Sequence, residues 1–367
     1  MRTLVAVVIC GLVILPAGAS ASSSPPGLVR TASRLSGLPA RWPVQTATVP
    51  APRYGTLLAR AWSRDYPSSV RRADASAYAL LGLTTRSVST PSPRAWYDVS
   101  AHRLFLQRRP AATRTAVLNE VVRALVDQNY GLRRLVGLRA RDRDRWLAAR
   151  GIVDGTAALS SGLRANASHG TPLDRFSQLE ASVGPGPGRA FASELRYLGG
   201  NAAVASALRT FPQTTEQLLH IDKFLEHERA LPVQLPEHAA AALLLSSETF
   251  GELDVRDLLQ AFHVTGRANV AAGWGGGRLA LYGSGGAHVA AIVLRWDSPE
   301  DALEWQAAVP QYVAAAFPAA VAHTCPPLDR CWSSGSNELA AGVFGTTSVL
   351  ASGPESDAVA AALLTAI

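Results

Sequence analysis

Eight histidines are the first candidates for metal binding or proton transfer: His102, His169, His220, His227, His238, His263, His288 and His323. None stands four residues from another, so no pair can clamp one metal ion from a single helix face. His220 and His227 are seven residues apart on a predicted helix. That is about two turns, roughly 10 Å, too far for one mononuclear site. Cys325 and Cys331 enclose Pro-Pro-Leu-Asp-Arg. The spacing is not the C-x-x-C of redox proteins, and two thiols are too few for a structural zinc, so a disulfide closing a short loop is expected. Gly273-Trp-Gly-Gly-Gly277 precedes Arg278 and lacks the Lys-Ser/Thr of a phosphate loop, which predicts a turn. Gly283-Ser284-Gly285-Gly286 lacks the G-x-S-x-G pattern of a nucleophilic serine and is expected to join two strands. Asn166-Ala167-Ser168 fits a glycosylation sequon and carries no further argument.

One helical segment places polar groups at ligand spacing. It reads Leu118-Asn119-Glu120-Val121-Val122-Arg123-Ala124-Leu125-Val126-Asp127-Gln128-Asn129-Tyr130. A second segment carries Asp154-Gly155-Thr156-Ala157. The first resembles the active-site helix of a family of exported, zincin-like bacterial metallopeptidases, which reads H-E-L-T-H-A-L-Q-D-Q-H-F. The second is similar to the family's E-G-D-A. Other landmarks follow in the same order: Leu35-Ser-Gly-Leu-Pro39 with Trp42-Pro43-Val44, Trp96-Tyr97-Asp98 before Leu104-Phe105-Leu106, and Thr215-Glu216-Gln217-Leu218-Leu219-His220 with Lys223 and Phe224, similar to T-E-Q-x-L-H-P-x-K-Y. Gly251-Glu252-Leu253, Gly273-Trp274-Gly275 and Trp296-Asp297 resemble landmarks nearer the C-terminus.

The resemblance implies a zincin-like frame, and the residues depart from its chemistry. In H-E-x-x-H, two imidazoles four residues apart bind zinc and the glutamate deprotonates zinc-bound water. Here the ligand positions hold Asn119 and Arg123, Glu120 stands where the base would be, and Asp154 holds the third-ligand position. An amide oxygen is a weak zinc ligand, and a guanidinium stays protonated with no lone pair to offer. The family's closing tyrosine is Phe224 here. No catalytic residue, metal or cofactor is therefore expected, zinc being lost. Arg123 is expected to pair with Asp154, Glu120 or both, and His220 and Phe224 are carried over as cleft residues.

The elements that must position these groups are legible as periodicity. Val117, Leu118, Val121, Val122, Leu125 and Val126 form a helical apolar stripe that starts near Pro110 and ends at Gly131. Further helices are predicted over about 27–35, 53–83 with a break at Pro67, 143–163, 190–208, 215–228, 252–262 and 299–316, with a last one from Glu355. Ala95–Asp98 and His102–Leu106 alternate as a strand pair, and strands are predicted at Arg278–Tyr282 and His288–Trp296, with two more after the cysteine loop. Gly184-Pro-Gly-Pro-Gly188 reads as a helix breaker. The fold class is α+β: a signal peptide over 1–21, a flexible segment and first helix over 22–50, a zincin-like helical domain over 51–232, and an α+β domain over 233–367.

Composition bounds the rest. The 367 residues are 48% hydrophobic and 17% charged, enough apolar material for a sizeable core. Net charge is +7, nearly all from arginine, since Lys223 is the only lysine. Arg133, Arg134, Arg139, Arg141, Arg143 and Arg145 form the densest basic run, interrupted by Asp142 and Asp144. A solvated, salt-bridged surface is expected there rather than a nucleic-acid site. Arg2, the apolar Leu4–Pro16 stretch and the small residues Ala17–Ala21 read as an export signal, cleaved or kept as an anchor, and no other segment is long enough to span a membrane. The expectation is a secreted or envelope pseudopeptidase with a binding or structural role, its ligand a peptide, a protein or an envelope component. The alternative is a hydrolase with a non-standard site built on Glu120 or His220.

Overall fold

A computed structural model describes residues 20–23, 26–83, 93–167 and 171–366. Most of the expected signal peptide, with Cys10, and Ser168 of the sequon lie outside the described residues. The class is α+β, helical in its first part and sheet-rich in its second.

The first part opens with β1 (Ser20–Ser23), α1 (Pro26–Ser36) and β2 (Gln45–Val49). Then come α2 (Ala51–Asp65), α3 (Ser68–Leu80), β3 (Ala95–Asp98) and β4 (Arg103–Gln107). The strands form a small sheet in the order β1-β2-β4-β3, with β2 and β4 parallel. The flexible segment expected up to residue 50 thus contains a strand. Thr46 pairs with Leu104, and Ala47 and Val49 bury their side chains against Tyr54 and Phe105.

Next are α4 (Arg114–Tyr130), a 3-10 turn (Leu132–Leu135) and α5 (Arg143–Ser161). The α4 helix starts where the Thr113 hydroxyl accepts the Ala116 N–H and stops at Gly131 in the left-handed region. In α5 the Asp142 carboxylate accepts the Arg145 N–H, and Gly162 ends the helix in the same way as Gly131. The helical part ends with α6 (Pro172–Ala181), α7 (Arg189–Thr210), α8 (Thr215–Leu219) and α9 (Ile221–Leu225). Gly184–Gly188 separates α6 from α7, as a breaker should, in a π turn whose Gly186 leaves the helical region at φ −94° and ψ −111°. One expectation is corrected here. The single helix over 215–228 is two short ones, because His220 is extended at φ −124°.

The second part contains β5 (His238–Ala239), β6 (Ala242–Thr249), α10 (Glu252–Ala261), α11 (Arg267–Ala272), β7 (Trp274–Ser284), β8 (Ala287–Trp296) and α12 (Pro299–Ala316). It ends with β9 (Val321–His323), β10 (Arg330–Ser334), β11 (Asn337–Phe344), β12 (Thr347–Ser352) and α13 (Ser356–Ala366). Eight antiparallel strands run in the order β5-β6-β7-β8-β12-β11-β10-β9. Both faces are covered. Ala290, Ile292 and Leu294 of β8 face a core shared with α3, α6, α10 and α12. The alternating Val289, Ala291 and Val293 face α13. The expected turn at Gly273–Gly277 is instead the start of β7. A Cβ on Gly276 would fall 2.2 Å from the Leu231 carbonyl, and one on Gly277 2.3 Å from that of Phe250, so these glycines let two backbones approach the strand. The β7–β8 turn is made by Gly285 and Gly286, both at positive φ.

The core does not divide at residue 232. Ala77 and Tyr78 of α3 and Leu173 and Phe176 of α6 belong to the sheet's core, although they precede that boundary.

Candidate functional site

The α4 and α5 helices pack side by side and bring Asn119, Glu120, Arg123 and Asp154 together. The Ser161 hydroxyl on α5 donates to Asn119 Oδ1 at 3.3 Å, and Asn119 Nδ2 donates to Glu120 Oε1 at 3.2 Å. Glu120 Oε2 accepts the Tyr97 N–H from β3 at 2.9 Å. Both Glu120 oxygens are therefore engaged. Burial raises its pKa, Arg123 opposes this and Asp154 adds to it.

Arg123 Nε lies 3.5 Å from Asp154 Oδ1, an ion pair that lacks hydrogen-bond geometry. Burial disfavours the arginine's charge, but Asp154 and Glu120 outweigh that, and its pKa stands above the ordinary value. The expected pairing of Arg123 is thus present, with Asp154 in direct contact and Glu120 acting through space. On the other side of Asp154, Arg150 Nε donates to Oδ2 at 3.0 Å. The Arg150–Asp154 pair spans i,i+4 on α5 and could have been read from the sequence.

A polar node that the sequence reading missed supports this arrangement from below. Asp127, buried on α4, accepts from the Tyr97 hydroxyl at 2.7 Å and from the Leu132 N–H at 2.7 Å, and its Oδ2 lies 2.9 Å from His102 Nδ1. Tyr97 therefore contacts α4 twice, through its backbone at Glu120 and its side chain at Asp127. That holds β3 against the site.

The other expected cleft residues are placed apart from this group. His220 Nε2 is 2.9 Å from Glu252 Oε1, and the imidazole pKa is raised chiefly by that bond. Among the described residues no hydrogen bond or ion pair joins His220 to Glu120 or Asp154. Phe224 sits in the core rather than in a cleft, its ring edge-on to Phe191 at 5.2 Å. Nearby, Lys223 Nζ donates to Glu216 Oε1 at 2.6 Å, Glu228 Oε1 at 2.9 Å and Asp297 Oδ2 at 2.6 Å. These three carboxylates are spaced closely enough to hold a cation. The ammonium of the chain's only lysine already does so.

The basic run around residue 139 also needs correction. Arg133, Arg134, Arg141 and Arg145 are exposed as expected, but Arg139, Arg143 and Asp144 are buried. Arg143 pairs with Asp254 and with Glu180 at 3.1 Å, and Arg139 reaches Glu180 at 3.3 Å while stacking 3.6 Å from the Tyr66 ring centre. Burial alone would raise the Glu180 pKa, yet the two guanidiniums bring it down to about 2. Both buried guanidiniums thus have carboxylate partners, which is the condition for burying them.

Cys325 and Cys331 are joined by a disulfide, with their Cα atoms 5.9 Å apart. Among the described residues no helix is long and apolar enough to cross a membrane. No curated protein and no solved structure matches the chain. Residues 242–363, from β6 into α13, match the family described as a domain of unknown function, DUF8575.

Proposed function

We propose that the chain is an exported zincin-like pseudopeptidase: it keeps the frame of a metallopeptidase cleft, holds no catalytic zinc, and has a binding or structural role in the cell envelope or outside the cell. The observation that carries this reading is the Arg123–Asp154 ion pair between α4 and α5. In the family that the sequence resembles, these two helices share a dication. Here a permanent monocation projects from one helix toward the carboxylate of the other.

The donor set does not fit zinc. Arg123 cannot ligate, and its charge opposes a second cation beside Asp154. The Asn119 amide is committed to Glu120 and Ser161. Arg123 also accounts for how two partly buried carboxylates, Asp154 and Glu120, coexist without a metal. Removing it would leave Asp154 with Arg150 alone and take from Glu120 the cation that opposes its burial.

The test restores what was lost. The Asn119→His/Arg123→His double variant puts two imidazoles four residues apart on α4, opposite Asp154. It is expected to bind one zinc per chain, measured by competition with a chromophoric chelator. A double variant that folds, by circular dichroism, and binds no zinc would overturn the placement of the site.

A further inference from the structure

We propose that the cavity bordered by Arg123 and Arg150 binds an organic carboxylate that carries an aromatic ring. This deepens the binding role above and rests on that reading for Arg123 as part of a former cleft. The cavity encloses about 190 Å³. A void of roughly 150 Å³ accepts benzene, so there is space here for one ring and a short polar arm.

The walls suit a ring. Trp62, Tyr66, Trp96, Tyr97 and Trp146 line the cavity. Five aromatic side chains from α2, β3 and α5 and their flanks form the walls, with Arg139 over Tyr66 at 3.6 Å and Arg150 over Trp146 at 5.1 Å, and such walls favour offset or edge-on packing of another ring. The mouth reaches solvent at Arg64, which is exposed.

The polar groups suit an anion. Arg64, Arg123, Arg139 and Arg150 border the cavity, against Asp65 and Asp98. The carboxylates that neutralise three of these arginines stand behind the wall: Asp154 takes Nε of both Arg123 and Arg150, and Glu180 takes Nη2 of Arg139. Neither Asp154 nor Glu180 lines the cavity. Among the described residues, no hydrogen bond leaves the Nη nitrogens of Arg123 or Arg150. Two guanidiniums are thus held by one shared carboxylate, Arg150 through a hydrogen bond and Arg123 through an ion pair, with the outer part of each fork left to donate to a second. That is preorganisation for a carboxylate, whose two oxygens match the fork geometry. Among the described residues, the cavity-side Asp65 and Asp98 pair with Arg64, at 3.7 and 3.3 Å, rather than with Arg123 or Arg150. The predominance of rings over free donors favours a monoanion with an aromatic body over a bare, strongly hydrated phosphate.

Calorimetric titration of the purified protein tests this with 3-phenylpropionate, its uncharged amide and inorganic phosphate. The acid is expected to bind, and the amide to bind at least about tenfold more weakly through loss of charge-assisted bonds. Phosphate is expected not to compete. Arg150→Gln should weaken the acid several-fold, and Val136→Trp, which places an indole at the cavity wall, should abolish binding. A peptide ending in a free-acid phenylalanine identifies the source. Binding tighter than phenylpropionate assigns a peptide C-terminus and weaker binding assigns a free aromatic acid, and both support the site. Equal binding of acid and amide, phosphate as tight as the acid, or no binding of any of them would overturn it. Zinc content is scored in the same preparation. Zinc with acid binding intact sinks the pseudopeptidase reading alone, and no zinc with no acid binding sinks this inference alone.

Discussion

Arg123 and Asp144 show two ways in which this chain buries an ionisable group. Arg123 is held by carboxylates on its own and the neighbouring helix. Asp144 is surrounded by donors from Thr215, whose N–H lies 3.1 Å from Oδ1, and by the Thr215 hydroxyl. Burial still wins and raises the Asp144 pKa to about 8. An unfolded aspartate titrates near 3.9, about four units lower. Between those values the folded chain holds a proton that the unfolded chain lacks, so stability falls as pH rises from about 4 to about 8. Glu216, raised by burial to about 7, acts with the same sign. His220, raised by Glu252, contributes stability below its ordinary value that is lost as pH rises through its folded pKa. Glu180, lowered to about 2, acts oppositely, but only in acid below its ordinary value of 4.5. The urea midpoint is therefore expected to be lower at pH 8 than at pH 5.5, and Asp144→Asn should shrink the difference; a midpoint that rises toward pH 8 would refute this. At this scale Asn119, Glu120, Arg123 and Asp154 are legible in sequence, because i,i+4 spacing and a motif mark them. Arg139 and Arg143 are not. Their burial depends on Glu180 and Asp254, which stand too far along the chain for local spacing to reveal.

The α5 helix is shaped by what touches it. A Cβ on Gly155 would lie 2.2 Å from the carbonyl carbon and oxygen of Gly188, and one on Gly184 would lie 2.3 Å from the Asp154 Cβ. The π turn of Gly184–Gly188 therefore presses its backbone onto the segment that carries Asp154, and glycine at 155 is required by that approach. Gly155→Ala is expected to destabilise the protein by about 1–3 kcal/mol, as overpacking does, and to lower the calorimetric melting temperature. An unchanged melting temperature would show that the turn yields to the added methyl group. The elements that could be read from sequence are those whose ends carry their own chemistry: the Thr113 and Asp142 caps, and the glycines at 131 and 162. Elements set by partners were hidden. The β6 strand, Ala-Leu-Leu-Leu-Ser-Ser-Glu-Thr, has no alternation of residue type and is a strand because β7 pairs with it. Gly273–Gly277 carries turn residues but starts a strand because the Leu231 and Phe250 backbones need the space.

Arg143 links the two halves of the whole molecule. It leaves α5 fully buried and meets Glu180 of α6 and Asp254 of α10. Ser352 of β12 donates to the Leu80 carbonyl, and Tyr312 of α12 to that of Leu81 at 2.6 Å, so the end of α3 is also tied to the sheet. Such joints predict a single cooperative unit. Arg143→Met takes the guanidinium away from Asp254, Glu248 and Glu180, leaving Glu180 with Arg139 alone, and is expected to cost roughly 3–5 kcal/mol, with helix and sheet signals still lost together in one transition. Separate transitions by far-ultraviolet circular dichroism and tryptophan fluorescence would show that the halves fold independently. Whether the space between α4 and α5 holds a metal is read from the zinc content of the unaltered protein after dialysis, by plasma mass spectrometry. Zinc well below one equivalent, unchanged by Asp154→Asn, is the predicted result. One tightly held zinc per chain that disappears in Asp154→Asn would mean that Asp154 still ligates a metal and that the site is not degenerate.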